Sequence, residues 1–208
     1  MKPSTRICIV NSELGNVGSV YNMLKYLGID CFISSDTKEI FNSSHMILPG
    51  VGRFDHGIKS LAHIGIDKNF ILDYVFNEKF VLGICLGMQL LCLHSEEGAL
   101  DGLSLIDASV KRFDFDSSIQ LPVPHMGWNT VAPSSQSSLF DGYNSDIRFY
   151  FVHSYYVSPS SQNIISGTSD YGKNFCSAFS SGNIHGVQFH PEKSHKFGMH
   201  LLSNFSQL

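Results

Sequence analysis

Alternating strand and helix signals in the first half of the chain restrict the fold more than any other feature. Four short runs have strand length and are almost entirely apolar: Arg6–Val10, Cys31–Ser34, Met46–Gly50 and Phe80–Ile84. Segments in which apolar residues recur at helical spacing separate these runs. Because a strand buried on both faces has no polar side, this pattern is typical of a parallel sheet covered by helices. We therefore predict an α/β protein with a doubly wound, mostly parallel sheet.

The segments between these runs predict helices. The apolar residues Val20, Met23, Leu24 and Leu27 recur at helical spacing, and Gly28 follows as a C-terminal cap. Further helices are predicted to begin at Asp36-Thr37 and to cover residues 54–65, 68–78 and Leu86 to about Glu97.

The second half carries β signals without long helices between them. β-Branched and aromatic runs, separated by Gly, Asn, Ser and Pro, cover residues 104–115, 148–158, 163–172, 174–183 and 184–190. They predict an added antiparallel β region, closed by a helix from about Ser194 to Phe205. The serine-rich stretch 132–140 is predicted to be a loop. Since no linker or repeat divides the chain, we expect one domain over residues 1–208.

Charge and hydropathy exclude several classes of protein. Apolar residues make up 43% of the chain and charged residues 15%, which favours a compact globule over disorder. The formal net charge of −4 provides no polybasic surface, so nucleic acid and anionic membranes are not expected partners. No apolar run approaches the roughly 20 residues needed to span a bilayer. The N-terminal stretch turns polar too soon for a secretory signal.

The cysteine and histidine patterns favour a cytoplasmic protein without a metal site. The five cysteines form no CxxC pair, and most lie inside apolar runs, which is typical of reduced thiols. Four histidines recur every five residues near the C-terminus, but that spacing does not place them on one helix face. No metal-ligand spacing is present, so no metal is expected.

Cys85 occupies the tightest point of a strand-to-helix transition, in Gly83-Ile84-Cys85-Leu86-Gly87. A nucleophile between two such glycines, after a strand and before a helix, forms a nucleophile elbow. The glycines are needed because a Cβ would clash where the backbone turns closely on itself. The elbow places the sulfur at a helix N-terminus, which favours the thiolate. Packing alone explains a cysteine here but not the paired glycines.

A thiolate nucleophile needs a base, and the base needs an orienting carboxylate. The stretch "GVQFHPEKS" supplies both: His190 follows an apolar strand, and Glu192 comes two residues later, across Pro191. Alternate residues of an extended segment point the same way, so the two side chains are expected to meet.

The stretch "LPGVGRF" (48–54) is the candidate oxyanion hole. The glycines on either side of Val51, Gly50 and Gly52, allow peptide orientations that other residues avoid. The N–H of Val51 is then expected to point at a substrate oxygen beside the N–H of Leu86, which begins the helix after the nucleophile.

Together, "GICLGMQLL", "LPGVGRF" and "GVQFHPEKS" resemble class I glutamine amidotransferases, and the resemblance covers essentially the whole chain. Within that class, "GMQ" after the nucleophile, "SEEG" (95–98), "HMGWN" (125–129) and "FVHSYYV" (151–157) resemble the glutaminase subunits of imidazole glycerol phosphate synthases. The resemblance implies a flavodoxin-like glutaminase fold. One departure is "NSELGN" (11–16), where the family usually has an aromatic residue and a glycine before Gly-Asn.

The resemblance implies a reaction and a set of site residues, without a cofactor. Cys85 attacks the carboxamide of L-glutamine, His190 held by Glu192 moves the proton, and water hydrolyses the γ-glutamyl thioester. The residues that match glutamine-binding positions of the family are Gln89, Glu97, His153, Ser154 and Tyr155, and Gly50 and its neighbours line the slot.

The resemblance also implies a partner. The family's glutaminase docks on a (β/α)₈ cyclase subunit, which uses the ammonia to make imidazole glycerol phosphate and AICAR in histidine biosynthesis. Trp128 and Tyr150 match interface positions, and Lys193 matches a lysine at the mouth of the ammonia path. Such subunits are expected to be nearly silent until the partner binds its ligand.

Three alternatives remain open at this stage. The first is a paralogous glutaminase that supplies ammonia for amidino-sugar assembly on surface polysaccharides. The second is a protease or deglycase-like protein with a cysteine elbow, although those lack the distant His-Pro-Glu and PGVG elements. The third is a non-catalytic partner subunit, which the intact Cys85, His190 and Glu192 disfavour.

Overall fold

A computed structural model describes residues 5–116, 120–135, 137–143 and 146–208. Within these ranges the strands are β1 (Ile7–Val10), β2 (Cys31–Ser34), β3 (His45–Gly50), β4 (Phe80–Cys85), β5 (His94–Ser95), β6 (Ala108–Arg112), β7 (His125–Thr130), β8 (Ala132–Pro133), β9 (Arg148–His153), β10 (Tyr155–Pro159), β11 (Ile165–Asp170), β12 (Asn174–Ser181) and β13 (Ile184–Val187). The α-helices are α1 (Val17–Tyr26), α2 (Thr37–Phe41), α3 (Phe54–His63), α4 (Lys68–Phe76), α5 (Leu86–Leu90) and α6 (His195–Phe205). Three short 3₁₀ turns cover Ser138–Phe140, Gln162–Ile164 and Pro191–Lys193.

A parallel sheet in the order β2-β1-β3-β4-β13 forms the centre of the molecule. The predicted first-half strands and the helices between them are confirmed, and Asp36 caps α2 as its sequence indicates. The C-terminal strand β13 joins this sheet beside β4, with Val187 opposite Ile84. On the other side of β4, Gly50 lies opposite Cys85. The carboxyl ends of β3, β4 and β13 are therefore neighbours.

Helices cover both faces of the parallel sheet, which confirms the doubly wound prediction. One hydrophobic cluster receives residues from α2 to α5, among them Ile40, Leu61 and Tyr74. The other receives residues from α1 and α6, among them Leu24 and Phe205. Each fully buried side chain of this size stabilises the fold by about 1.5–3 kcal/mol.

The predicted antiparallel region continues the same sheet. Strand β12 pairs antiparallel with β13, with β10 and with β11, and β10 pairs antiparallel with β6. Strands β7 and β9 form a separate antiparallel pair. The closing helix is also present as α6, so the fold class predicted from the sequence is confirmed.

The helix after Cys85 is shorter than predicted. It ends at Leu90, and the chain then forms the short strand β5, which pairs in parallel with Ser109 and Val110 of β6. All residues of α5 are buried, so the apolar run continues past the helix end and its periodicity does not mark the stop. The prediction of helix to about Glu97 was therefore wrong.

Strands β7 and β8 lie outside the segments predicted to be strands, and β8 lies within the predicted loop 132–140. Trp128 lies on β7, where it pairs with Tyr150 of β9, although prolines and Gly127 obscure the strand signal. Within 132–140, Ala132 and Pro133 pair with β11. Gln136 of that stretch lies outside the described residues. In the part of the chain that the structure describes, no helix has the length and apolar character to cross a membrane.

Candidate active site

Cys85 lies at the end of β4 in a backbone conformation that is rare for a residue with a side chain. Its φ is 55° and its ψ is −109°, and it precedes the first residue of α5. A Cβ on Gly83 would lie 2.6 Å from the Gly87 carbonyl oxygen, and one on Gly87 would lie 1.8 Å from the Leu48 carbonyl oxygen. The two glycines are therefore required by close backbone contacts, as the elbow motif predicts.

His190 and Glu192 form a buried pair beside the elbow. The His190 Nδ1 atom donates to Glu192 Oε1 at 2.7 Å, and only 2% and 5% of these side chains is exposed. The backbone of His190 is fixed as well, because its N–H donates to the Tyr150 carbonyl and its carbonyl accepts from the Ser194 hydroxyl. Glu192 therefore sets the orientation of the imidazole, and Nε2 is the nitrogen left for proton transfer.

The electrostatics of His190 link it to Cys85. Burial alone would lower the pKa of His190, but the Cys85 and Glu192 side chains together outweigh burial and raise that pKa well above its ordinary value. His190 Nε2 is buried and has no hydrogen-bond partner among the described residues. Catalytic hydrogen bonds are often poorly aligned before substrate binds. The arrangement places an imidazole and a thiol in electrostatic contact, as a Cys–His nucleophile requires.

A cavity of about 330 Å³ opens above Cys85, within the range of about 300–1,000 Å³ usual for small-molecule sites. The predicted residues that line it are Val51, Gly52, Cys85, Leu86, Gln89, Glu97, His153, Ser154 and Tyr155. Gly50 is not among the lining residues. A Cβ on Gly50 would lie 2.8 Å from the Gly87 backbone nitrogen, so this glycine allows β3 to approach α5.

The N–H of Val51 points away from the expected oxyanion position. It donates to the carbonyl of Leu14, in the stretch 11–16 that departs from the family pattern. Val51 is 47% exposed, and Gly52 has a φ of +108° with no atom within 4 Å of where its Cβ would be. In this conformation the predicted oxyanion donor that remains available is the N–H of Leu86, at the start of α5.

Comparisons with known proteins identify the family of this chain. The family model for class I glutamine amidotransferase matches residues 9–207. The chain belongs to this family. The "Imidazole glycerol phosphate synthase subunit HisH 2" of Methanococcus maripaludis is 46% identical, covering 96% of this chain and 98% of that protein. The protein of the same name from Pseudomonas aeruginosa is 43% identical, covering 97% and 99%.

Solved structures share the fold. The structure of PurLQS from Thermotoga maritima aligns with a TM-score of 0.74 at 16% identity, covering 99% of each chain. A glutamine amidotransferase from Thermotoga maritima aligns with a TM-score of 0.62 at 18% identity, covering 99% of this chain and 84% of that one. At these identities the likeness concerns the fold.

Glu97 connects the cavity of this amidotransferase to the segment after Val51. Its Oε2 atom accepts from the N–H of Phe54, the first residue of α3, at 2.8 Å. The adjacent Asp55 accepts from the N–H groups of Ala99 and Leu100. Glu96 is exposed and accepts from the Arg112 N–H instead. Of the two neighbouring glutamates, Glu97 is the one at the cavity.

The ring nitrogens of His153 both have protein partners. Nδ1 lies 2.8 Å from the Tyr155 carbonyl oxygen, to which it must donate, and Nε2 lies 3.0 Å from His125 Nδ1. His125 Nε2 in turn accepts from Asn129 Nδ2 at 3.3 Å. Burial is the main reason that the pKa of His153 falls to about 3 and that of His125 to about 4. Both rings are therefore neutral at pH 7.

Gln188 is a site residue that the sequence interpretation missed. It is fully buried, and its Nε2 atom donates to Cys85 Sγ at 3.7 Å. The sequence feature that could have identified it is a polar amide between the apolar residues Val187 and Phe189, just before the His-Pro-Glu stretch.

The predicted interface residues are neighbours on one surface. Trp128 is 48% exposed and stacks on His195, with ring centroids 5.8 Å apart. Its cross-strand neighbour Tyr150 lies 6.4 Å from it, and Lys193 Nζ lies 5.8 Å from the Tyr150 ring centre. Met126, two residues from Trp128 on β7, is 62% exposed.

Proposed function

We propose that residues 1–208 act as one glutaminase domain, which hydrolyses L-glutamine to glutamate and ammonia. The observation that carries the proposal is the strained elbow of Cys85 at the floor of a cavity, together with the buried His190–Glu192 pair. Membership of the class I amidotransferase family points to the same reaction.

The reaction follows from the positions of the three groups. The Cys85 thiolate attacks the side-chain amide carbon of glutamine, and the C=O electron pair moves onto oxygen. When the tetrahedral intermediate collapses, the C–N bond breaks and the nitrogen takes a proton from His190, leaving as ammonia. His190 then removes a proton from water, which attacks the thioester carbon, and the C–S bond breaks to release glutamate. Positioned acid–base catalysis of this kind contributes about 10²–10⁴-fold.

The oxyanion hole consists of the Leu86 N–H and the N–H of Val51 after a flip of the peptide before Val51, which the glycines Gly50 and Gly52 permit. The contact between Val51 and the Leu14 carbonyl supports a resting state with low activity. Loss of one oxyanion donor costs about 10²–10³-fold in kcat, so the flip is a sufficient switch.

Glutamine lies in the cavity with its amino-acid end away from Cys85. Glu97 pairs with the α-ammonium, and Gln89, His153, Ser154 and Tyr155 form the surrounding wall, with Gly50 supporting the slot from below. The hydrogen bond from Phe54 to Glu97 supports this role, because it fixes the carboxylate at the cavity edge.

The ammonia acceptor is a (β/α)₈ cyclase subunit of histidine biosynthesis, in a cytoplasmic heterodimer. The names of two full-length relatives support this assignment. The surface of Trp128, Tyr150 and Lys193 is the docking face. An exposed aromatic residue with aromatic neighbours is typical of an interface hot spot.

A second candidate is a paralogous glutaminase that supplies ammonia for amidino-sugar synthesis. One specific observation favours it: both of those relatives carry the numeral 2 in their names. The unusual stretch 11–16, which holds Val51 through Leu14, is compatible with a different partner.

Covalent labelling tests the proposed chemistry. A glutamine-analogue electrophile should modify Cys85 stoichiometrically, and mass spectrometry should place the label there and not on Cys8, Cys31, Cys92 or Cys176, which are also free. His190→Gln should slow labelling strongly. Absence of labelling, both alone and in the complex with a cyclase subunit, would favour a non-catalytic subunit.

A further inference from the structure

The buried amide of Gln188 connects the nucleophile to a second amide, that of Gln89. Gln188 follows β13, whose last residue lies beside Ile84 of β4, and this register brings its side chain to Cys85. Its Nε2 atom lies 3.7 Å from the sulfur, and its Oε1 atom accepts from Gln89 Nε2 at 3.0 Å. Gln188 is fully buried, so its amide has no solvent alternative to these partners.

The direction of the Gln188 amide is determined by a carbonyl group. Gln89 Nε2 also lies 3.1 Å from the Tyr155 carbonyl oxygen. A carbonyl oxygen only accepts hydrogen bonds, so the Gln89 atom that faces it must be the NH₂ group. That NH₂ group in turn requires the oxygen of Gln188 to face it. The NH₂ group of Gln188 is thereby directed at the sulfur, and the assignment does not depend on an arbitrary choice of amide orientation.

The Tyr155 carbonyl is itself held in place. It accepts from His153 Nδ1 at 2.8 Å, and His153 Nε2 lies 3.0 Å from His125 Nδ1. Because the neutral His153 ring donates through Nδ1, its Nε2 atom accepts from His125. Burial keeps His153 neutral by lowering its pKa to about 3. The carbonyl that orients Gln89 therefore rests on a chain of defined donors and acceptors.

We propose that Gln188 is a catalytic residue that donates a hydrogen bond to the Cys85 thiolate, and that Gln89 is the positioning residue that directs this donor. Hydrogen bonds to charged groups are stronger than neutral ones, so a buried donor stabilises the thiolate. Gln89 uses both hydrogens of its NH₂ group within the protein. The inference rests on the proposed function, since it concerns the nucleophile of that reaction.

Alkylation of Cys85 by iodoacetamide, measured against pH without glutamine, tests the donor directly. Site-resolved mass spectrometry separates Cys85 from the other four cysteines, which are also buried. In Gln188→Met, which keeps the length of the side chain but removes the donor, the midpoint of the rate profile should move up by about one pH unit, a ten-fold change in the thiolate equilibrium. Gln89→Met should move it in the same direction by less.

Ser177→Ala is the matched control. Ser177 is fully buried on the neighbouring strand β12, and its hydroxyl has no hydrogen-bond partner in the part of the chain that the structure describes. The Gln188 N–H donates to the backbone carbonyl of Ser177, which the substitution keeps. This variant should reproduce the wild-type profile. If Gln188→Met fails to fold, as judged by thermal melting, the alkylation profile of Gln89→Met decides the test. A wild-type profile in a folded Gln188→Met protein would overturn the proposal.

Glutamine hydrolysis provides the second readout and separates this proposal from the proposed function. Gln188→Met should lower kcat about ten-fold to a hundred-fold, with KM nearly unchanged, because the donor acts on sulfur and not on substrate binding. A raised KM with an unchanged kcat would overturn the assignment. If the wild-type protein did not hydrolyse glutamine even with the liganded cyclase subunit, yet the alkylation shift appeared, the proposed function would be wrong and the assignment of the sulfur donor would still hold.

Discussion

The turns that follow β3 and β4 start from paired residues, Gly50 and Cys85, yet they differ in almost every physical respect. The turn after Cys85 is buried and closely packed, and its glycines touch neighbouring backbone. The turn after Gly50 is open: Val51 is half exposed, and space is free around Gly52. One backbone hydrogen bond, from Val51 to Leu14, holds it in the observed orientation.

This difference matches the proposed pairing of a fixed nucleophile with an adjustable oxyanion donor. A nucleophile must stay within a few tenths of an ångström of its productive position, which dense packing provides. A switch must have two states of similar free energy, which an open turn with one breakable hydrogen bond provides. The two requirements are met on adjacent strands of one sheet.

Glycine substitutions should reveal the largest difference in stability between the two turns. Gly87→Ala places a Cβ 1.8 Å from the Leu48 carbonyl oxygen, so we expect destabilisation of more than about 4 kcal/mol or failure to fold. Gly52→Ala meets no atom and has only its positive φ to overcome, so a loss of about 1–2 kcal/mol is expected. Urea unfolding of the two variants measures the contrast, and equal losses would contradict it.

Removing the Val51 N–H should disable the adjustable donor and spare the nucleophile. Val51→Pro deletes the group that bonds Leu14 in this conformation and that is proposed to bind the oxyanion. Glutaminase kcat should fall about 10²–10³-fold in the activated complex. Iodoacetamide should still alkylate Cys85 at the wild-type rate. A parallel loss of alkylation would indicate that the two turns are not independent.

Acid should destabilise both turns together, because buried neutral histidines lie in the sheet that carries them. Burial lowers the pKa of His45 and of His185 to about 4. Since the unfolded chain takes up protons from about pH 6.5 downward, stability is lost as the pH falls from about 6.5 toward 4. Each histidine contributes about 1.4 kcal/mol per pH unit in that window.

Denaturant unfolding at pH 7.5 and pH 5 measures this slope. His45→Asn/His185→Asn should be less stable at pH 7.5, because both rings pack against Phe80 and Phe205, but less sensitive to acid. An unchanged slope in the double variant would assign the acid sensitivity to other groups, such as His125 and His153.

The smallest effect is expected at the proposed docking face. Trp128→Ala should weaken binding to the cyclase subunit about ten-fold and leave Cys85 alkylation in the isolated chain unchanged. Phe76→Ala is the matched control, because Phe76 is also an exposed aromatic residue, 88% accessible, on α4. Equal changes in Kd for the two variants would contradict the assignment of this surface as the docking face.

The sequence predicted the parts of this molecule that depend on local pattern. The strands and helices of the parallel core follow from periodicity, and the elbow follows from Gly83, Cys85 and Gly87 within five residues. The meeting of His190 and Glu192 was expected from an extended segment, but that reason was wrong, because Glu192 lies in the 3₁₀ turn Pro191–Lys193. The end of α5 did not follow, because the apolar run continues into a strand whose partner, β6, lies elsewhere in the chain.

Contacts between residues far apart in the sequence were also not predicted. Gln188 and Cys85 are separated by 103 residues, and only the register of β13 against β4 brings them together. The bond between Val51 and Leu14 likewise depends on two strand ends that meet in space. Local pattern identified the glycines on either side of Val51, but it did not indicate that the Val51 N–H bonds to Leu14.

Glutamate release from glutamine tests the central claim most directly, with the chain alone, with a cyclase subunit, and with that subunit plus its phosphoribosyl substrate. Because the Val51 N–H is turned away from the site, we expect slow glutamate release by the chain alone. The rate should rise by at least about 10²-fold with the liganded partner, and Cys85→Ala should abolish release. Release at the full rate by the isolated chain, or release that persists in Cys85→Ala, would contradict the account.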